Sequence, residues 1–175
     1  KRATPMNHAK TFKLALLGGC ALILSACGEN KEEALTYESV EACTAAGLQD
    51  AATCQMEFEK AQQRHNEVAP RYARANQCYS DFGYDRCYSH RTSSGSIWLP
   101  FMVGYMLAPR GMTSVYSQPL YRPSSDTGRF YTASNRPIGA VSKSGRTLVR
   151  KSMVSKPQAR TRTVSRGGFG ARATS

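Results

Sequence analysis

The sequence predicts a small, mainly α protein: a disulfide-stapled helical unit made of two cysteine-pair repeats, followed by a largely disordered basic tail. Three observations carry that expectation. Tyr37 and Tyr72 each stand six residues before a cysteine, Cys43 and Cys78, and second cysteines follow, Cys54 after eleven residues and Cys87 after nine. Over residues 51–68, apolar side chains recur at alternating steps of three and four, the spacing of one helix face. Charge is also divided. Residues 27–90 carry six basic and eleven acidic side chains, a net of −5, whereas residues 91–175 carry fourteen basic side chains against Asp126 alone, a net of +13.

In chain order, Lys1, Arg2, Lys10 and Lys13 precede an apolar run over residues 14–26 that closes on Leu24-Ser25-Ala26-Cys27. As a helix this run rises roughly 20 Å against about 30 Å of bilayer hydrocarbon, too short to span and suited to an export signal. Its ending resembles the lipobox of bacterial lipoproteins. The resemblance implies a lipoprotein signal peptide over residues 1–26, and a Cys27 that becomes the first mature residue and carries diacylglycerol, usually with a further acyl chain such as palmitate. Residues 27–36 would form the lipidated N-terminus and tether. Two or three acyl chains hold a protein lastingly on a membrane where one does not. Gly28, in place of aspartate after the cysteine, favours the outer over the inner membrane. The expected location is the bacterial envelope, lipid-anchored and facing the periplasm.

Export would place the downstream thiols in an oxidising compartment. With Cys20 removed in the signal and Cys27 acylated, Cys43, Cys54, Cys78 and Cys87 remain, an even number that suits two disulfides. Three pairings are possible, and the repeat favours Cys43–Cys54 and Cys78–Cys87. Each small loop so closed would stabilise the fold by roughly 2–3 kcal/mol, a large share for a core this small. Within this unit, residues 37–90, Ser39 can cap a short helix that Gly47 ends, and Asp50 can cap the next. That second helix carries Ala51, Cys54, Phe58, Ala61, His65 and Val68 on its apolar stripe and stops at Pro70. A third would run from about residue 73 to Phe82, closed by Gly83.

Residues 91–96 form a flexible Ser/Gly linker, and residues 97–108 an apolar aromatic segment interrupted by Pro100. Two readings of that segment stand side by side: Trp98, Phe101 and Tyr105 insert into a membrane or dock on a protein partner, or the segment folds back to complete the core of the stapled helices. Residues 109–175 are basic and rich in Ser, Thr, Gly and Pro, a composition that buries too little apolar surface to offset chain entropy. In this tail Arg146, Arg150, Lys151, Arg160, Arg162 and Arg166 are expected to contact polyanions. Outside the cytoplasm those are anionic lipid, lipopolysaccharide or peptidoglycan, and nucleic acid is not expected.

Four stretches resemble the YgiB/YjfM family of uncharacterised bacterial envelope proteins: the lipobox ending at Cys27, the paired cysteines with their preceding tyrosines, Ser93-Ser94-Gly95-Ser96-Ile97-Trp98-Leu99-Pro100 with Gly104-Tyr105-Met106 after it, and Thr163-Val164-Ser165-Arg166-Gly167-Gly168-Phe169-Gly170. The resemblance covers nearly the full chain. It implies lipoprotein character and a short cysteine-bearing domain, and members are often encoded near a protein resembling glutathionylspermidine synthase. Signs of catalysis are thin. His65 and His90 are the histidines after Cys27, His65 reads better as a packed core residue, and no nucleophile motif accompanies either. Cys78, Cys87 and His90 could supply zinc ligands, but the repeat assigns both thiols to a bridge, so no metal or cofactor is expected. The expected role is structural or adaptor, with an accessory subunit of an envelope complex as alternative and an enzyme of polyamine or peptide conjugates as a weaker third.

Overall fold

The computed structural model describes residues 30–164 and residue 169, so Cys27 and Arg166 lie outside the described residues. The three expected helices form with their expected caps. Helix α1 (Val40–Ala46) begins at Ser39, whose hydroxyl accepts from the Ala42 N–H, and ends at Gly47 in the left-handed conformation, φ 70°. Helix α2 (Ala51–Val68) begins at Asp50, whose carboxylate accepts from the Thr53 N–H and hydroxyl, each at 2.8 Å. Helix α3 (Ala75–Phe82) closes at Gly83. Disulfides join Cys43 to Cys54 and Cys78 to Cys87.

The mainly α expectation is overturned by everything around these helices. Among the described residues run seven strands, β1 (Lys31–Tyr37), β2 (Cys87–Thr92), β3 (Gly95–Pro100), β4 (Gly104–Leu107), β5 (Gln118–Tyr121), β6 (Tyr131–Thr132) and β7 (Arg146–Arg150), and a one-turn helix α4 (Lys151–Val154). Five of them make a curled antiparallel sheet in the order β6-β5-β4-β1-β7, and β2 and β3 form a separate hairpin. Among the described residues the architecture is therefore built on β-sheet, with the helices packed against it.

Strand β1 shows why. Its sequence opens Lys-Glu-Glu-Ala-Leu, all good helix formers, and lies within residues 27–36, which the sequence reads as tether. Pairing on both edges overrides that preference: Leu35 and Tyr37 lie opposite Leu107 and Tyr105 on β4, and Ala34 lies opposite Thr147 on β7. The partners named lie 68 to 113 residues away, so no local pattern announces them. Strands β4 to β7 are two to five residues long. In β7 the alternation is present, with Thr147 and Val149 buried and Arg146, Leu148 and Arg150 exposed, but it is lost in an average over a Ser- and Arg-rich tail.

The largely disordered tail is corrected for the same reason. Val149, Met153 and Val154 pack with Ala34, Met106 and Leu120 beneath one face of the sheet. The Val164 N–H donates to the Arg71 carbonyl at 2.6 Å. Phe169 is buried among Phe82, Tyr121 and Tyr131, with ring centroids 4.9, 6.0 and 6.1 Å away, and its N–H donates to Asp81 Oδ2 at 2.8 Å. A few apolar residues at wide intervals suffice, because each enters a cluster already framed by the first half of the chain.

The two faces of the sheet serve different cores. Leu35, Tyr37, Tyr105 and Leu107 meet Cys43, Cys54 and Ala61 of α1 and α2, while Ala34, Met106, Leu120 and Val149 face Val115, Ile138 and α4. A third cluster joins the end of α2, α3, the β2–β3 hairpin and Phe169. At the turn into β7, Gly145 has φ +86°, and a Cβ there would stand 2.3 Å from the Tyr37 ring, whose hydroxyl donates to the Ser144 carbonyl at 2.9 Å.

Two substitutions test this architecture in urea unfolding followed by circular dichroism. Phe169→Ala should destabilise the full chain by about 3 kcal/mol, as for other buried phenylalanines, whereas no change would mean that the tail does not pack. Gly145→Ala should lower stability by at least 1 kcal/mol through the strained φ and the displaced tyrosine ring.

Candidate functional site

Two grooves flank α2. The first encloses about 530 Å³ and is lined by Phe58, Gln62, His65, Tyr88, Phe101 and Val103 among others. The spacing of α2 puts His65 on the stripe that faces the core, and the helix carries it to the meeting point of β2 and β5. There its Nδ1 lies 2.9 Å from the Tyr121 hydroxyl and its Nε2 lies 3.0 Å from the Tyr88 hydroxyl. Tyr88 in turn donates to Asn66 Oδ1 at 3.4 Å. Because Asn66 Oδ1 can only accept, the Tyr88 oxygen is left to accept from Nε2–H, and Tyr121 donates to Nδ1.

Electrostatics keep this chain of groups neutral. Burial, helped by His90 nearby, lowers the His65 pKa to about 4. Burial raises Tyr88 above the ordinary tyrosine value and raises Tyr121 far above it. Both ring nitrogens of His65 are thus engaged by phenols that stay protonated, which leaves no lone pair aimed at the groove. Chemically this suits a surface that binds, lined by aromatic rings with Tyr88 stacked on Phe101 at 5.1 Å, better than one that moves protons.

The second groove, about 510 Å³, lies on the other side of α2 and is polar. Several of its charges are engaged locally: Lys60 pairs with Glu57 at 2.7 Å, the Ser117 hydroxyl donates to Glu57, and Arg64 donates to the Ser117 carbonyl.

The residues singled out from sequence are dispersed. Trp98 sits partly buried in β3, edge-on to Tyr79 at 5.8 Å, with its backbone bonded both ways to Tyr72. Phe101 is 49% exposed at the mouth of the first groove, and Tyr105 has no exposed surface, its hydroxyl donating to the Cys54 carbonyl at 3.3 Å. These three do not form one patch. Most of the segment over residues 97–108 packs inward, with Leu99, Met106 and Leu107 also fully buried. Arg146 pairs with Glu33, Lys151 stands 3.8 Å from Glu32, and Arg160 donates to the Ala133 carbonyl at 2.6 Å. Arg150 ends β7 opposite Lys31, and Arg162 is exposed. Cys78 and Cys87, weighed above as zinc ligands with His90, are bonded to each other. The His65 partners went unseen, since Tyr88 and Tyr121 lie 23 and 56 residues away and nothing near His65 marks them.

Comparison with known proteins bears on the same chain. A family model described as "Protein of unknown function (DUF1190)" matches residues 31–175. The chain belongs to that family. Its similar relatives carry the name UPF0441 protein: one from Erwinia tasmaniensis is 32% identical over 97% of this chain and 88% of its own length, one from Sodalis glossinidius is 33% identical over 97% and 89%, and one from Yersinia pestis is 32% identical over 90% and 78%. No solved structure matches. The DUF1190 match begins at the first residue of β1 and runs through the tail, so it spans both the helical half and the basic half that the sheet joins.

The buried imidazole sets a pH dependence. His65 titrates near 6.5 when unfolded and near 4 when folded, so between these values the unfolded chain binds the extra proton and stability falls as the pH drops. The loss is absent above pH 6.5 and reaches about 3 kcal/mol by the time the folded imidazole titrates near pH 4. Chemical denaturation at several pH values should show this loss in the parent chain and a flatter profile in His65→Gln. Equal slopes would remove His65 as the cause.

Proposed function

We propose that this chain is an envelope lipoprotein of the YgiB/YjfM type, held on a membrane by acylated Cys27 and acting as a structural or adaptor protein that binds and does not catalyse. The observation that supports this most is where β1 begins. Lys31 is four residues after Cys27, and it pairs directly with Arg150, while the Lys151 N–H donates to the Asn30 carbonyl at 2.9 Å. Four residues reach at most about 14 Å, so acyl chains seated in a bilayer would bring Lys31, Arg150 and Lys151 to the headgroup layer. Each cation near an anionic surface contributes about 1 kcal/mol, within a Debye length and less at high salt. Anionic lipid, lipopolysaccharide or peptidoglycan is then the natural counterpart, at the periplasmic face, with Gly28 favouring the outer membrane.

A role as accessory subunit of an envelope complex is the second reading. It is favoured by Phe101, which is half exposed beside the aromatic groove, and by Tyr84, which is 78% exposed two residues before Arg86, whose carbonyl accepts from the Phe101 N–H at 2.9 Å. An enzymatic role has less support, because the histidine in that groove has both nitrogens engaged.

The test joins acylation to surface charge. Growth with a palmitate analogue should label the parent protein and leave it in the membrane fraction, while Cys27→Ala should be unlabelled and released. Changing Lys31, Arg150 and Lys151 together to Gln should weaken sedimentation with anionic vesicles by at least tenfold at low salt. An unlabelled parent chain, or an alanine variant that stays on the membrane, would sink the anchor.

A further inference from the structure

The inner face of the curled sheet ends in a pocket that none of the contacts above explains. It encloses about 260 Å³ and is lined by Thr132, Ser134, Arg136, Ser152, Lys156 and Gln118 among others. No carboxylate lines it, and Arg136 and Lys156 have no ion-pair partner among the described residues. The acid nearest in sequence, Asp126, is taken by Arg129 at 2.5 Å. Thr132 is 3% exposed, yet its hydroxyl has no hydrogen-bond partner among the described residues. A buried polar group left unsatisfied is costly; the Thr36 and Thr147 hydroxyls of the sheet share that state, but of the three Thr132 is the one that lines this pocket, together with the exposed Arg136 and Lys156.

The frame of the pocket is fixed. Gln118 on β5 donates to the Met153 carbonyl at 2.7 Å and so ties the sheet to α4. Thr132 lies opposite Leu120, and the turn after it is closed by Thr132 N–H to the Arg136 carbonyl and Asn135 N–H to the Thr132 carbonyl, both 3.0 Å. That turn carries Ser134 and Arg136 to one wall, and α4 with the residues after it carries Ser152 and Lys156 to the other. The Gln118 amide nitrogen is spent on Met153, and the Ser155 hydroxyl on the Ser152 carbonyl at 3.1 Å. The donors left are a guanidinium, an ammonium and the hydroxyls of Thr132, Ser134 and Ser152.

We propose that this pocket binds a phosphate monoester. A guanidinium fork, a point cation and three hydroxyls outnumber what the two oxygens of a carboxylate can use and suit the three terminal oxygens of a phosphate. Two sources share this chemistry: a phosphorylated lipid headgroup and a free phosphorylated solute. The headgroup alone rests on the membrane-anchored reading, because α4 starts at Lys151, bonded to Asn30 near the anchor.

The experiment uses the full chain. Inorganic phosphate should raise its melting temperature above that in chloride of equal ionic strength. Thr132→Val should melt no lower than the parent in chloride, since it removes an unpaired hydroxyl at constant volume, and should lose the phosphate-dependent rise. Arg136→Gln and Lys156→Gln should each weaken phosphate binding about tenfold by titration calorimetry. Phosphatidylcholine vesicles with and without phosphatidic acid separate the sources. Pocket-dependent binding to phosphatidic acid together with free phosphate supports a headgroup ligand, and a response to free phosphate alone supports the site with a solute as ligand. If the charge-neutral variant of Lys31, Arg150 and Lys151 leaves vesicles while keeping its phosphate response, the surface reading and the pocket are told apart. No rise with phosphate, or equal rises in the parent and all three pocket variants, overturns the proposal.

Discussion

The two-sided pairing of β1 is the constraint on which the rest of the molecule depends. With β4 on one edge and β7 on the other, β1 joins the acidic, cysteine-bearing half to the basic half and gives each face of the sheet its own core. Because side chains alternate along a strand, a slip of one residue would exchange Ala34 and Thr36 with Leu35 and Tyr37 and empty both cores at once. Two close contacts hold that register. Gly145 leaves room for the Tyr37 ring at the entry to β7, and Gly104 at the start of β4 would place a Cβ only 2.7 Å from the Tyr37 carbonyl.

Around this strand the disulfides act locally and the tail acts globally. Cys43–Cys54 fixes α1 to the start of α2, and Cys78–Cys87 fixes α3 to the hairpin, both through loops of about ten residues that limit the unfolded chain more than they add native contacts. The tail closes the long-range structure. It pairs β7 with β1, crosses the end of α2 through Arg160 and Glu67, and seats Phe169 between Phe82 and Tyr121. The polar anchor there is Asp81, whose carboxylate accepts from both the Tyr72 hydroxyl and the Phe169 N–H, so residues far apart in sequence share one half-buried acceptor.

Function follows from the same geometry. A neutral histidine held between two tyrosines stiffens the junction of α2, β2 and β5 and gives the aromatic groove a fixed wall. Lys31, Arg150 and Lys151, all exposed, gather at the start of β1, where the proposed acyl anchor would hold the chain. A second set of donors lines the pocket beside α4, where the buried Thr132 hydroxyl has no partner among the described residues. Surface charge and pocket chemistry thus favour the same kind of counterpart, an anionic group, through two separate sets of residues.

What could be read from the chain alone were features decided within about ten residues. Ser39, Gly47, Asp50 and Pro70 set the helix ends by local hydrogen bonds and backbone sterics, the stripe from Cys54 to Val68 set the buried face of α2, and two short cysteine loops set the bridges. The β-sheet architecture, the order in the tail, the burial of Tyr105 and the partners of His65 were not legible, because each depends on segments 20 to more than 100 residues apart. A strand of two to five residues has no stability of its own and takes its conformation from the edge it joins. The helices were therefore determined by neighbours along the chain, and the sheet, with both grooves and the pocket it frames, by neighbours that only the folded chain brings together.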